Sequence, residues 1–198
     1  MSFWEKTKGF LLSPTETFNK VKEEGWGGSI GFFAKWLIIF AILMAVIFGA
    51  LFAVLWGFFG AFIPVDVSLI FGGVMAIMVI GMLIGVLVGG LIGILIGSLW
   101  MHIWVYLLGG RKGVGQTIKA MAYGSTPSLL LGWIPFIGII FAIWTLVVQI
   151  IGIRQLHELS TGRAALAYII GAIIIPAIIF AVAFAAILSA LLGMVPTT

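Results

Sequence analysis

Four long runs without a charged residue dominate this chain of 198 residues: 36–65, 67–110, 120–153 and 164–198. Each run exceeds the about 20 helical residues that cross a bilayer core of about 30 Å. Only 8% of the residues are charged and 63% are hydrophobic, whereas a soluble domain has about 25% charged residues. The sequence therefore predicts an all-α polytopic membrane protein. It argues against a soluble enzyme, a nucleic-acid-binding protein and a disordered chain.

The ten Lys and Arg residues indicate how often the chain crosses the membrane. They lie in three segments: 1–35, 111–119 and 154–163. If 67–110 crosses once and 120–153 leaves and returns, all ten lie on one side; two crossings by 67–110 would divide them evenly. Because cytoplasmic loops are enriched in Lys and Arg, we predict a five-helix transmembrane bundle in the cell membrane, with the N-terminus cytoplasmic and the C-terminus outside. The predicted spans are 36–63, 67–108, 115–132, 136–153 and 164–193.

The lengths of two segments leave their path through the membrane open. A single helix over 67–110 would be about 65 Å long, about twice the bilayer core, so we expect the first two helices to overshoot or bend in the outer leaflet. The arms of 120–153 are short, with Gly132 and Pro135 at the turn. Both a full hairpin and a re-entrant one would return this segment to the cytoplasmic side.

The N-terminal segment, residues 1–35, is predicted to be cytoplasmic or interfacial and amphipathic. Ser13, Pro14 and Glu16 predict a helix start with a capping box, and this helix should run to about Glu24. Aromatic residues alternate with lysines before it, which favours two short helices lying on the inner leaflet. A docking surface for a partner protein is the alternative.

Small residues recur at four-residue spacing in several predicted spans, which is typical of helices that pack closely in lipid. The second span carries five such glycines in strict register, a glycine zipper. The stripes either pack the helices of one monomer or, as the alternative, face outward and join chains into a homo- or hetero-oligomer. The predicted helix-packing residues are Ala41, Ala45, Gly49, Gly81, Gly85, Gly89, Gly93, Gly97, Ala181 and Ala185.

No acidic or basic residue lies at mid-membrane in this topology, and the sequence lacks nucleophile, phosphate-loop and metal-ligand motifs. We therefore predict no enzymatic activity, no cofactor and no metal. The third span is the most polar, and Pro127 leaves a backbone carbonyl that nearby hydroxyls can satisfy. Polar residues near the inner helix ends form either a small cytoplasm-facing cavity or an internally satisfied, kinked helix. They are His102, Gln116, Lys119, Tyr123, Ser125, Thr126 and Gln149.

Two charged features flank the predicted spans. The basic glycine turn that contains Arg111 and Lys112 is a candidate contact for lipid headgroups. Arg154 and Glu158 have the i, i+4 spacing of an ion pair on a helix.

A set of short motifs, in order along nearly the whole chain, resembles the Ypt-interacting protein (Yip) domain family, in particular its compact prokaryotic members. The motifs are Phe10-Leu11-Leu12-Ser13-Pro14 with Phe18, His102, Leu108-Gly109-Gly110, Gln116-Thr117, Tyr123-Gly124-Ser125-Thr126-Pro127, Trp133-Ile134-Pro135-Phe136, Trp144, Gly152 and Leu159-Ser160-Thr161-Gly162-Arg163-Ala164. The resemblance implies five spans, the same orientation and a membrane organiser without catalytic residues. Eukaryotic relatives contact small GTPases, but this chain lacks their long N-terminal region and acidic motif, which argues against a GTPase partner.

The sequence thus predicts a non-enzymatic scaffold whose partner is the lipid bilayer. Its alternative is a small permease or channel for a neutral solute or lipid headgroup, which would use the polar face of the third helix. A hydrated path past Tyr123 and Thr126 would favour transport, and a filled interior there would favour the scaffold.

Overall fold

The computed structural model describes residues 1–59, 62 and 65–193, and every regular element among them is helical, which confirms the predicted all-α class. A π-helical segment, Ile170–Ile174, separates the last two helices. The helices are α1 (Phe3–Leu12), α2 (Pro14–Lys20), α3 (Trp26–Phe59), α4 (Val65–Leu107), α5 (Val114–Gly124), α6 (Thr126–Leu131), α7 (Ile137–His157), α8 (Thr161–Ile169) and α9 (Ile175–Gly193).

Among the described residues, four helical stretches are long and apolar enough to cross a membrane. They are Trp26–Phe59, Leu69–Leu107, Ile137–His157 and Thr161–Ser189. These stretches overlap the first, second, fourth and fifth predicted spans, so the chain is a multi-pass helical membrane protein. The predicted end of the first span, residue 63, lies outside the described residues.

The first two long helices form an antiparallel hairpin. α4 is one continuous helix of 43 residues, about 65 Å long, and α3 has 34 residues, about 50 Å. Leu37 of α3 packs against Gly90 of α4, and further out Trp56 stacks on Phe71 with 5.6 Å between ring centroids. Both helices are therefore longer than an upright span of a bilayer core needs, and the expected overshoot or bend in the outer leaflet stays a prediction.

The third predicted span, 115–132, consists of two short helices, α5 and α6, that meet at Ser125. The cause is Pro127, which has no N–H and whose ring obstructs the carbonyl of Tyr123 four residues earlier. The hydroxyl of Thr126 donates to that carbonyl at 2.5 Å instead. The expected compensation by a nearby hydroxyl is present, and it accompanies a break between two helices.

Buried side chains concentrate where the N-terminal helices, α5, the C-terminal half of α7 and α8 meet the N-terminal part of α3 and the C-terminal part of α4; we call this region the packed end. Elsewhere the bundle is open, since no described side chain in 42–59, 69–97 or 176–189 is buried. The core of the packed end consists of Phe10, Phe18, Val21, Phe32, Trp36, Met101, Val105, Ala120, Tyr123, Val148, Ile153, Leu156, Ala164, Ala167 and Tyr168.

The N-terminal helices belong to this core. Phe10, Phe18 and Val21, apolar residues of the predicted interfacial helix pair, are completely buried within the protein. α2 begins at Pro14 as predicted, but Ser13 makes no side-chain cap bond and the helix ends at Lys20. The capping box lies instead at the start of α1, between Ser2 and Glu5.

The π-helical segment, which precedes the last helix, packs against α4. Pro176 follows this segment and cannot donate a backbone hydrogen bond, which loosens the turn before it. The carbonyl of Gly171 accepts a 2.9 Å hydrogen bond from Trp100 Nε1. An added Cβ at Gly171 would lie 2.6 Å from the Trp104 ring, so this close approach requires glycine.

Candidate functional site

The most interconnected polar group of the packed end surrounds Glu24, which lies between α2 and α3. Its Oε2 atom accepts hydrogen bonds from Lys6 Nζ at 2.6 Å and from the Tyr123 hydroxyl at 2.7 Å. Burial alone would raise the pKa of Glu24, but the bonds from Lys6 and Tyr123 hold it below its ordinary value. The Tyr123 ring is fully buried and stacks on Phe10 with 4.7 Å between ring centroids. This group therefore ties the N-terminal segment to α5.

Lys119 makes a second connection between the same elements. Its side chain is buried, and Nζ donates to the carbonyls of Val21, Lys22 and Glu24 at 3.4, 2.6 and 2.8 Å. These three residues follow the end of α2 at Lys20, and buried backbone carbonyls outside regular structure need hydrogen-bond donors of this kind. Lys119, which the sequence places either at a small polar cavity or on an internally satisfied helix, thus holds the turn that follows α2.

Two histidines share one hydroxyl on the neighbouring side of α5. Thr117 Oγ1 lies 2.8 Å from Nδ1 of His102 on α4 and 2.9 Å from Nε2 of His157 at the end of α7. A hydroxyl carries one hydrogen, so at least one of the two facing nitrogens must be an N–H donor. The sequence singles out His102, but no spacing pattern indicates that Thr117 and His157 are its partners.

Gln149 links α7 to α5 and α8. Its amide donates to the Met121 carbonyl and to Ser125 Oγ, both at 3.2 Å, and its Oε1 accepts from the Tyr168 hydroxyl at 2.5 Å. The backbones of α5 and α7 approach closely here, since an added Cβ at Gly124 would lie 3.0 Å from Cα of Gln149 and 2.4 Å from its Cγ. Tyr168 was not singled out by the sequence because it lies well beyond the third span.

The structure therefore brings the predicted polar residues to one end of the bundle. There, in the part of the chain that the structure describes, they form hydrogen bonds with several different protein groups and do not line one shared cavity. Tyr123 is completely buried, Thr126 is 1% exposed and Pro127 is buried beside them. Gln116 also points inward, and its buried Oε1 has no hydrogen-bond partner among the described residues. Protein atoms fill the interior past Tyr123 and Thr126.

The glycine zipper of α4 does not pack within the monomer. An added Cβ at Gly81, Gly85, Gly89, Gly93 or Gly97 would meet no described atom within 4 Å. The contact with α3 is made instead by the adjacent glycine, Gly90, where an added Cβ would lie 2.7 Å from a methyl of Leu37. Because the helix turns about 100° per residue, Gly81, Gly85 and Gly89 lie about 100° or more around α4 from Gly90, whereas Gly93 and Gly97 lie within about 60° of it.

The other predicted small residues also differ in their surroundings. Ala41 is buried, as monomer packing requires, whereas Ala45 and Gly49 are only half-buried. An added Cβ at Gly49 would meet nothing within 4 Å. Ala181 and Ala185 on α9 are exposed. Only Ala41 of this group lies in the monomer core, so packing between chains by the remainder stays a prediction.

The charged loops meet at Glu158. Its carboxylate pairs with Lys112 at 2.8 Å and with Lys22, and these two lysines lower its pKa to about 2. The predicted pair with Arg154 is absent because α7 ends at His157 and Glu158 adopts a left-handed conformation (φ 57°). Arg154 Nη1 instead lies 3.3 Å from Thr161 Oγ1.

The predicted headgroup contacts, Arg111 and Lys112, are both exposed at the protein surface. The Arg111 guanidinium lies 3.7 Å from the centre of the Tyr106 ring, an arrangement typical of a cation–π contact. Lys112 is held by Glu158. Each cation therefore already has a protein partner.

Comparison with curated protein sequences and with solved structures gives no match. A family comparison does give one, and it covers the second half of α1, all of α2, the hairpin, α5 to α8 and most of α9. It agrees with the ordered motifs that resemble this family. Because the Yip1 domain model matches residues 8–187, the chain belongs to the Yip1 domain family.

Proposed function

We propose that this protein is a non-enzymatic organiser of the cell membrane, with five spans, a cytoplasmic packed end and a C-terminus outside. The filled interior at Tyr123 and Thr126 carries this proposal, because a transport path would need polar groups that face a shared hydrated space. Most of the polar side chains there instead form hydrogen bonds to groups on other helices or on the neighbouring turn. Membership of the Yip1 domain family supports the same conclusion.

The contacts between basic segments support the orientation. Lys22 of the N-terminal segment and Lys112 of the α4–α5 loop meet at the same carboxylate, that of Glu158. Lys6 and Lys119 likewise bind the side chain and the backbone of Glu24. The three basic segments of the sequence therefore meet at one end of the bundle, and an excess of Lys and Arg is typical of the cytoplasmic side.

The exposed glycine zipper supports an organising role through association with another helix. Glycines at i, i+4 spacing let a neighbouring backbone approach closely in lipid, where burial of apolar surface gives little driving force. In the monomer no described atom occupies this face. A second transmembrane helix, from another copy or a different protein, is the partner that this surface fits.

Cysteine crosslinking in native membranes tests the association. The chain has no cysteine, so single-cysteine variants report one position each. Gly85→Cys, on the open stripe, is expected to crosslink, whereas Ser98→Cys, at a buried position, is the matched control. A Gly85→Cys protein that stays monomeric and crosslinks to no other protein would contradict this part of the proposal.

Flux measurements separate the organiser from the permease. Proteoliposomes that contain the wild-type protein are expected to pass small neutral solutes no faster than empty vesicles. Solute flux that Thr126→Leu abolishes would overturn the proposal, since Thr126 lies where the path would run.

A further inference from the structure

A cleft of about 210 Å³ opens at the packed end between α1 and the first turns of α3. It differs from the other described clefts because lysine, aromatic and glycine residues line it together and no carboxylate is part of its wall. The residues that matter for its chemistry are Phe3, Lys6, Gly28, Gly31, Phe32 and Lys35.

The charges around this cleft are unbalanced. The Lys6 side chain is 13% exposed and pairs with Glu24, which lies behind the Gly28 wall. Lys119 approaches the backbone of Glu24 from the other side. Lys35 at the rim forms no ion pair with any carboxylate that the structure describes. Lys6 and Lys35 both line the cleft, and only Lys6 has a carboxylate partner among the described residues, so the surplus positive charge of the wall favours an anion.

The depth of the cleft indicates which anion it meets. Lys35 is the last charged residue before the uncharged run 36–65, so it marks the boundary between headgroups and hydrocarbon. Trp4, beside the cleft, is 67% exposed and packs edge-on against Trp36 with 6.0 Å between ring centroids. Tryptophan and lysine are typical of the membrane interface. The anionic groups at this depth are the phosphates of lipids.

The wall of the cleft has room for such a group. An added Cβ at Gly31 would meet nothing within 4 Å, so the α3 backbone borders open space there. The Lys35 ammonium lies 5.8 Å from the centre of the Phe3 ring, which holds it over the same side of the cleft. A phosphate between Lys35 and Lys6 would gain contact with both cations.

We propose that this cleft binds the phosphate group of an anionic membrane lipid, with Lys35 as its principal electrostatic contact and Lys6 as its second. The choice of the cytoplasmic leaflet as the source of this lipid depends on the proposed cytoplasmic position of the packed end. Binding itself does not, because it can be measured with protein in detergent, where orientation has no meaning. An experiment can therefore contradict the lipid site without contradicting the proposed orientation, and the reverse.

Native mass spectrometry of the full chain, titrated with phosphatidylglycerol or phosphatidylcholine, tests the site. The wild-type protein is expected to prefer phosphatidylglycerol, and Lys35→Gln should weaken that binding about fivefold, as expected for one interfacial lysine. Lys8→Gln is the matched control, because Lys8 lines a different cleft between α1 and α2. Equal losses in the two variants, or no preference for phosphatidylglycerol, would overturn the proposal.

Two further measurements complete this test. One distinguishes the effect of the shape of the cleft from that of its charge, and the other distinguishes a lipid ligand from free phosphate. Gly31→Leu should also weaken phosphatidylglycerol binding by narrowing the cleft, and Lys35→Arg should retain it. A Gly31→Leu protein that binds like the wild type would contradict the assigned location. Inorganic phosphate should compete only weakly with the lipid; full competition at millimolar concentration would show a site for free phosphate and overturn the lipid assignment.

Discussion

The hydroxyl of Tyr123 donates a 2.7 Å hydrogen bond to Oε2 of Glu24, a residue 99 positions earlier in the chain. This bond joins α5 to the turn between α2 and α3. Although the N-terminal segment has the composition of an interfacial helix pair, this bond helps to hold it in the protein core.

Tyr123→Phe is expected to destabilise the protein while leaving its aromatic stacking in place. It removes one of the two side-chain donors to the partly buried Glu24 carboxylate, and a lost bond to a charged group costs about 1–3 kcal/mol. Thermal unfolding in detergent measures the loss. Tyr106→Phe is the control, since Tyr106 is exposed and its ring contact with Arg111 is retained. Equal melting temperatures for the two variants would contradict the assigned role.

The hydroxyl of Thr117 is expected to matter more than its methyl group. Thr117→Val keeps the shape but leaves the facing nitrogens of His102 and His157 without their shared partner, at a cost of about 1–3 kcal/mol. Thr117→Ser keeps the hydroxyl and should lose about 1 kcal/mol through the missing methyl. A valine variant that unfolds at or above the temperature of the serine variant would refute the bridging role.

The contribution of Glu158 to stability should disappear in acid. Its pKa is lowered from 4.5 to about 2 by Lys112 and Lys22. A carboxyl whose pKa is lower in the folded state stabilises fully above its unfolded pKa, and this stabilisation is lost as the pH falls toward about 2. The melting temperatures of wild type and Glu158→Gln should therefore differ at pH 7 and converge as the pH falls from 4.5 toward about 2. A constant difference across this range would exclude the effect.

Two glycine-to-alanine changes should differ in their effect on the stability of the protein. Gly124→Ala places a Cβ 2.4 Å from Cγ and 3.0 Å from Cα of Gln149, which must push α5 and α7 apart. The expected cost is about 1–3 kcal/mol. Gly85→Ala meets nothing within 4 Å and should not lower the stability of the monomer, because alanine is a better helix former than glycine. Unfolding in detergent compares them, and a stable Gly124→Ala protein would contradict the close approach.

Several features of the fold could be predicted from the sequence because they depend on local composition. The uncharged runs predict α3, α4, α7 and the α8–α9 stretch, since length and hydropathy alone decide whether a helix can cross lipid. The start of α2 follows from Pro14, which has a fixed φ suited to a first helical turn.

The candidate site could be predicted only in part because its contacts join distant segments. His157 gave no signal of its own, since its partner Thr117 lies 40 residues away on another helix. The five stripe glycines predict close packing, but their spacing alone cannot say that Gly90, one residue out of register, makes the contact with α3. Lys119 carries a charge typical of a loop, and only the fold brings to it the carbonyls of the turn that follows α2.

Sidedness of the packed end is the central claim, and labelling with a membrane-impermeant maleimide on intact cells tests it most directly. The wild-type chain has no cysteine, so Arg163→Cys reports the packed end and Val67→Cys the opposite end of the bundle. Val67→Cys should be labelled in intact cells, and Arg163→Cys only after the membrane is permeabilised. Labelling of Arg163→Cys in intact cells would place the basic segments outside and contradict the account.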